Sequence, residues 1–223
     1  ETTAPTTASA LLSDPPPNFS VLSCHRVVPP ALEAITNMGE VRLDGMIQPG
    51  HVSTIIGTKP YRFLADKYHI PQVVAGFEPL DLMMGVYMLA RQVREGRAQV
   101  ENEYSRVVHE NGNPVAIEAM KQAFQTSDSA WRGFPVIKGS GLSVRRSLSD
   151  HDARKRYEDI LEPVNEREFG EAKGCRCGEM LRGILTSEEC PLFGTKCTPS
   201  NPIGPCMVSR EGSCHISYRY RKR

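Results

Sequence analysis

Short apolar runs alternate with helix-spaced apolar positions through the first part of this chain, and the rhythm fades toward its end. Residues 18–23 (NFSVLS) read as a short strand. Pro29-Pro30 then opens a helix over 31–35, since proline is tolerated in the first helical turn. Residues 51–56 (HVSTII) are apolar and β-branched and stop at Gly57, which predicts a buried strand. Residues 59–68 fit a helix, and 72–76 (QVVAG) a second buried strand. Over 80–93, Leu82, Val86, Leu89, Ala90 and Val93 share one helical face, which predicts a helix with that face in the core. Met83 and Met84 read there as core filler. A further strand over 101–108 and a helix over 114–124 complete the series. Strands separated by such helices predict an α/β fold with a mainly parallel, helix-covered sheet.

After Lys138 the texture changes. Gly139-Ser140-Gly141 reads as a turn, and 149–161 as a charged helical run. Beyond Pro163 the chain is rich in Gly, Pro and Cys and has little periodicity. A segment of that kind buries too little apolar surface to hold itself together, and cysteine-bound metal would staple it. The pattern thus divides the chain into an α/β domain, 1–138, and a small loop- and helix-rich cysteine domain, 139–223.

The 223 residues carry a formal net charge of +1, with 39% hydrophobic and 24% charged positions, as in ordinary globular proteins. This balance asks for neither nucleic acid nor an acidic membrane surface, and the basic end at Arg219, Arg221, Lys222 and Arg223 reads as a solvated terminus. No apolar run reaches the length of a membrane span. The opening Glu1-Thr2-Thr3-Ala4-Pro5 has no initiator Met and reads as part of something longer.

Cysteine usage changes the picture most. Cys24 stands apart, while Cys175, Cys177, Cys190, Cys197, Cys206 and Cys214 crowd the last quarter. Gly and Pro flank them, as in Cys175-Arg176-Cys177-Gly178 and Gly204-Pro205-Cys206. Three readings compete on spacing. Structural zinc usually shows paired C-x2–4-C knuckles, and here the close pair is a C-x-C. Disulfides would suit a secreted chain, whereas the preceding residues look like a reduced, cytoplasmic α/β domain. A [4Fe–4S] cluster needs four converging thiolates and leaves two of the six over for redox work; it is the favoured reading.

The motifs also carry a resemblance along nearly the whole chain. Glu1-Thr2-Thr3-Ala4-Pro5, Pro49-Gly50-His51-Val52-Ser53, Val74-Ala75-Gly76-Phe77-Glu78-Pro79-Leu80-Asp81, Cys175-Arg176-Cys177-Gly178-Glu179 and Gly204-Pro205-Cys206-Met207-Val208-Ser209, in that order, are similar to those of the HypD family of hydrogenase maturation proteins. The resemblance implies a scaffold on which the Fe(CN)2CO group of [NiFe]-hydrogenases is assembled. It implies a [4Fe–4S] cluster on Cys175, Cys190, Cys197 and Cys214, which satisfy the family's C-x14-C-x6-C-x16-C spacing. It also implies a redox pair, Cys177 and Cys206, beside that cluster, as in ferredoxin:thioredoxin reductase. The implied partners are a small chaperone of the HypC family and a cyanide carrier of the HypE family. The family's upstream Cys-Gly and Cys-Pro-x-Cys motifs do not occur in this sequence. The chain is therefore expected to begin inside a family motif, to lack thiols that handle the transient iron, and to be inactive alone.

Three further residues are candidates for a cleft where iron is handled. His51 reads either as a structural turn residue or as a cleft residue. Glu78 and Asp81 follow a predicted parallel strand, where open α/β sheets place their sites, and read equally as caps of the next helix. Cys24, in Ser23-Cys24-His25-Arg26, reads as a buried or incidental thiol, and Glu211 either as a neighbour of the cluster or as a surface turn residue. Beside the assembly scaffold stand two other functions: a stand-alone iron–sulfur disulfide reductase, and a non-enzymatic module with a structural metal.

Overall fold

The computed structural model describes residues 1–131, 134–165 and 173–220. The chain opens with helix α1 (Ala4–Leu12), whose Pro5 lies in the first turn and whose Ala4, Ala8 and Leu11 bury one stripe. Helix α2 (Val28–Asn37) begins at Pro29-Pro30 as the sequence predicts. Strand β1 (Met46–Pro49) follows, and helix α3 (Gly50–Ile56) takes the run expected to be a strand. Its β-branched residues give way to tertiary context. The strand lies just upstream, pairing with the next one, and the Ser53 hydroxyl donates to the Pro49 carbonyl at 2.8 Å in the helical i−4 pattern.

A 3-10 turn, Lys59–Tyr61, leads into α4 (Arg62–Tyr68), as expected. Strand β2 (Gln72–Ala75) is buried throughout. Helix α5 (Pro79–Arg94) forms where the pattern places it but turns another face inward. Its buried positions are Asp81, Gly85 and Gln92, whereas Leu82, Val86 and Val93 are exposed, as are Met83 and Met84. The small Gly85 is what lets the helix approach β2. Strand β3 (Val100–Asn102) is short, and the chain turns where a longer strand was expected.

β1, β2 and β3 form a parallel three-stranded sheet in that order. A buried amide chain fixes its register. Gln48 donates to the side-chain carbonyl of Gln72, Gln92 Nε2 donates to the Gln72 carbonyl at 3.0 Å, and the Gln99 N–H donates to Gln92 Oε1 at 2.9 Å.

Helix α6 (Pro114–Ala123) is capped by Asn113, whose Oδ1 accepts from Val115 and Ala116 N–H at 3.0 and 3.1 Å. It leads straight into strand β4 (Phe124–Ser129), paired antiparallel with β5 (Ile137–Val144). Gly139-Ser140-Gly141 is thus inside a strand and not a turn. Gly139, at φ +64°, sits beside a register shift opposite Ser127 and Ser129, so the glycines serve a bulge. The divide read at 138 falls within β5. Residues 18–23 contribute one isolated bridge, Val21 to Asp152, and form no strand. Ala4, Ala8, Leu11, Ala123, Phe124, Leu142 and Val144 make a core between α1, α6 and this hairpin.

The charged run is broken into a 3-10 segment, Arg146–His151, then α7 (Ala153–Arg156) and α8 (Glu158–Asn165). The cysteine-rich end holds α9 (Cys177–Leu181), a 3-10 turn Ser187–Glu189, α10 (Pro205–Val208) and α11 (Ser213–Tyr220). It is fastened to the loop after α2. Arg182 donates to the carbonyls of Met38 and Glu40 at 3.0 and 3.2 Å, and the Arg42 N–H donates to the Arg182 carbonyl at 2.7 Å. Among the described residues no helix is long and apolar enough to cross a membrane.

Candidate functional site

Loops and very short helices bring the six late cysteines into one core. Cys177, Cys190, Cys197, Cys206 and Cys214 are each no more than 9% exposed, and Cys175 packs against them half-buried. Cys177 opens α9, Cys206 lies in α10 and Cys214 in α11, while Cys190 ends the 3-10 turn. Met180, Leu185, Phe193 and Met207 fill the space between them. A cluster of thiols is thus the hydrophobic core of this module, as its poor apolar periodicity foretells.

Within it the sulfurs are unevenly spaced. Cys175 Sγ lies 3.3 Å from Cys177 Sγ. Cys177 is in turn hydrogen-bonded to Cys206. Gly204 backs onto this trio, and a Cβ there would overlap the sulfurs of both Cys175 and Cys177. The Ile203 N–H points at Cys197 Sγ at 3.4 Å. Cys214 Sγ lies 3.7 Å from Met180 Sδ.

The thiols differ in acidity for physical reasons. The hydrogen bond to Cys206 and then burial push the Cys177 thiol up, and the same bond lowers Cys206. Cys206 is therefore the more acidic thiol of the pair. Burial is the largest cause that pushes Cys175 and Cys214 up to about 11 each. Cys190 and Cys197 bear electrostatically on Cys214, and Cys190 on Cys175.

Such a donor set is soft and anionic once deprotonated, and a cationic centre would offset the burial that now holds the protons on. Among the described residues no three His, Cys, Asp or Glu side chains gather round a single-ion position. An iron–sulfur cage takes one thiolate at each of four irons, so its ligands ring a cluster-sized space. Cys175, Cys190, Cys197 and Cys214, four thiols of one core, are the donor number and type that could hold such a cage.

A second constellation lies at the carboxyl edge of the parallel sheet. His51 follows β1 and is exposed, with its ring edge-on to Phe77 at 4.7 Å and tilted to Tyr104 at 6.4 Å. Glu78 follows β2 and is also exposed; it makes no side-chain cap to α5. Asp81 is buried, and its Oδ2 accepts from Arg106 Nη2 at 2.6 Å. The same guanidinium lies 4.4 Å from the centroid of the Tyr104 ring, 4.0 Å from Glu78 and 4.0 Å from Glu103. Sequence reasoning placed His51, Glu78 and Asp81 in one cleft and missed Tyr104 and Arg106. Their position just after β3 is the signal that could have found them, because all three parallel strands end at this edge. Cys24 is exposed and lies outside the cysteine core, and Glu211 is exposed in its turn.

The fold and the site together define an α/β chain with a cysteine-lined module closing its end. A family model for HypD, described as the hydrogenase formation hypA family, matches residues 1–221. The chain belongs to that family. It is 49% identical, over its whole length, to a putative hydrogenase expression/formation protein of Methanocaldococcus jannaschii, of which it covers 61%. It is 43% identical over 91% of its length to the hydrogenase maturation factor HypD of Cupriavidus necator, covering 54% of that protein. With HypD of Rhodobacter capsulatus it shares 42% identity over 99% of its length and 59% of the relative. The chain thus spans somewhat more than half the length of these relatives.

Proposed function

We propose that this chain serves [NiFe]-hydrogenase maturation in the cytoplasm, as part of a scaffold for assembly of the Fe(CN)2CO group. In this reading Cys175, Cys190, Cys197 and Cys214 hold a [4Fe–4S] cluster and Cys177 with Cys206 forms a dithiol pair beside it. The observation that carries the reading is the contact chain Cys175–Cys177–Cys206, which ties a ligand thiol to both members of the pair. Bound there, the cluster would supply electrons one at a time. Cys206, the more acidic thiol, is the nucleophile, and Cys177 keeps the proton until a disulfide forms. Closing that disulfide from the Cys206 thiolate and the Cys177 thiol releases two electrons and one proton, and opening it takes them back.

His51 and Glu78 are exposed polar groups at the sheet edge and would face the cargo iron, with Asp81 acting through Arg106. A small HypC-family chaperone and a HypE-family cyanide carrier are the proposed partners. The contact chain would equally suit a stand-alone disulfide reductase, and co-purification with the small chaperone separates the two.

The test is anaerobic purification with iron and sulfide quantification and electron paramagnetic resonance of the reduced protein. Alanine at Cys175, Cys190, Cys197 or Cys214 is expected to abolish the chromophore. Serine at Cys177 or Cys206 is expected to keep it and to impair thiol turnover. A colourless, zinc-containing parental protein would sink the reading.

A further inference from the structure

The 3-10 turn Ser187–Glu189 does two jobs at the edge of the cysteine core. Glu189 closes it as a capping box, its carboxylate accepting from the Thr186 N–H at 2.6 Å and from the Thr186 hydroxyl at 3.0 Å. The turn then presents Cys190, whose N–H donates to the Ser187 carbonyl at 3.2 Å. Its other face packs on α11, which carries Cys214. Ser187 is held between them, 4% exposed.

A buried hydroxyl costs stability unless it has a partner. The partners of Ser187 are sulfurs. Its Oγ donates to Met180 Sδ at 3.6 Å, and its hydroxyl also bears on Cys214, holding that thiol lower than burial alone would. Cys214 itself points its S–H at the same Met180 sulfur, at 3.7 Å. As a thiol, then, Cys214 spends its proton on Met180 and shares Ser187 with it. Once Cys214 is a thiolate that proton is gone, and an anionic sulfur is a far better acceptor than a thioether.

We infer that Ser187 is a positioning residue which donates its hydroxyl proton to the Cys214 thiolate and thereby raises the reduction potential of the centre that Cys214 ligates. This rests on the reading of Cys214 as a cluster ligand. A hydrogen bond to a ligand sulfur stabilises the more negative, reduced state more than the oxidised one, so it moves the potential upward. The rigid capping box makes the donor a fixed feature of the site.

The experiment is potentiometric titration followed by electron paramagnetic resonance on the full chain, comparing the parental protein with Ser187→Ala and Ser187→Thr. Ser187→Ala should lower the midpoint potential with unchanged iron and sulfide content, and Ser187→Thr should restore it. Double resonance in H2O against D2O should show an exchangeable proton coupling in the parental protein and in Ser187→Thr that Ser187→Ala lacks. A Ser187→Ala protein that cannot assemble a centre, where Ser187→Thr can, also supports the donor. Equal potentials with full clusters overturn this inference alone, as does assembly failure of both variants. A parental protein without any cluster overturns it together with the function proposed above.

Discussion

Gly204 shows how much a single missing atom can matter in this core. Its backbone lies against Cys175 and Cys177, the two sulfurs that touch each other, and no side chain fits there. Gly204→Ala must push at least one of these short side chains aside, at a cost of about 1–3 kcal/mol. Denaturant unfolding should show the lower midpoint, and the Cys177–Cys206 pair should exchange with thiol reagents more slowly as its alignment is lost. At the same scale, Cys175 and Cys214 keep their protons at neutral pH because burial pushes both up to about 11. Ligand binding must displace those protons, so reconstitution with iron and sulfide is expected to strengthen as pH rises from about 6 to about 8. Iron uptake measured across that range checks it, and a flat profile would show that the buried thiols are not the ligands.

Helix α5 is the element on which pattern and packing diverge. The apolar periodicity over 80–93 announces a helix, and a helix forms. The buried stripe is nevertheless Asp81, Gly85 and Gln92, fixed by the Arg106 ion pair, by close approach to β2 and by the buried amide chain. None of those reasons is visible to a hydrophobicity count. Leu80, Met83 and Tyr87 are left 76%, 68% and 60% exposed. Val86→Lys should therefore change stability by no more than about 0.5 kcal/mol, which thermal unfolding can measure. If the face through Leu82, Val86 and Val93 were core, the same change would be severely destabilising. The run 51–56 fails for a related reason, since so short a stretch with Val52, Ile55 and Ile56 suits a helix as well as a buried strand. The β4–β5 hairpin is hidden because Gln125-Thr126-Ser127-Asp128-Ser129 is polar and the glycines of its partner sit at a bulge. What sequence conveyed well was the crowding of the late cysteines, which the structure gathers into one buried core whatever the loops between them do.

At the scale of the whole molecule the described residues hold separate apolar cores. One lies under α1, α6 and the hairpin, another around Tyr61, Val74 and Val108, and the third is the cysteine core. Only the third is made largely of thiols, so under the proposed function its stability should depend on what they hold. Anaerobic chelation of the loaded protein should make 173–220 susceptible to limited proteolysis while the cores formed by α1 to α6 stay protected. Uniform loss of protection would mean that the cysteine module is a structural keystone for the rest. The Arg182 clamp onto Met38 and Glu40 is the route by which such coupling would run.

The order of the cysteines along the chain has a consequence for the protein's birth. Cys175 leaves the ribosome first and Cys214 comes last, on the final described helix, 39 positions later. At usual synthesis rates of about 5–20 residues per second, the earlier thiols wait about 2–8 s for the one that completes their enclosure. During that interval they are open to oxidants and to stray soft cations in the surrounding fluid. A released chain that ends before Ser213 should accordingly be alkylated at every earlier thiol of the module, whereas the full and loaded chain should be labelled chiefly at the exposed Cys24.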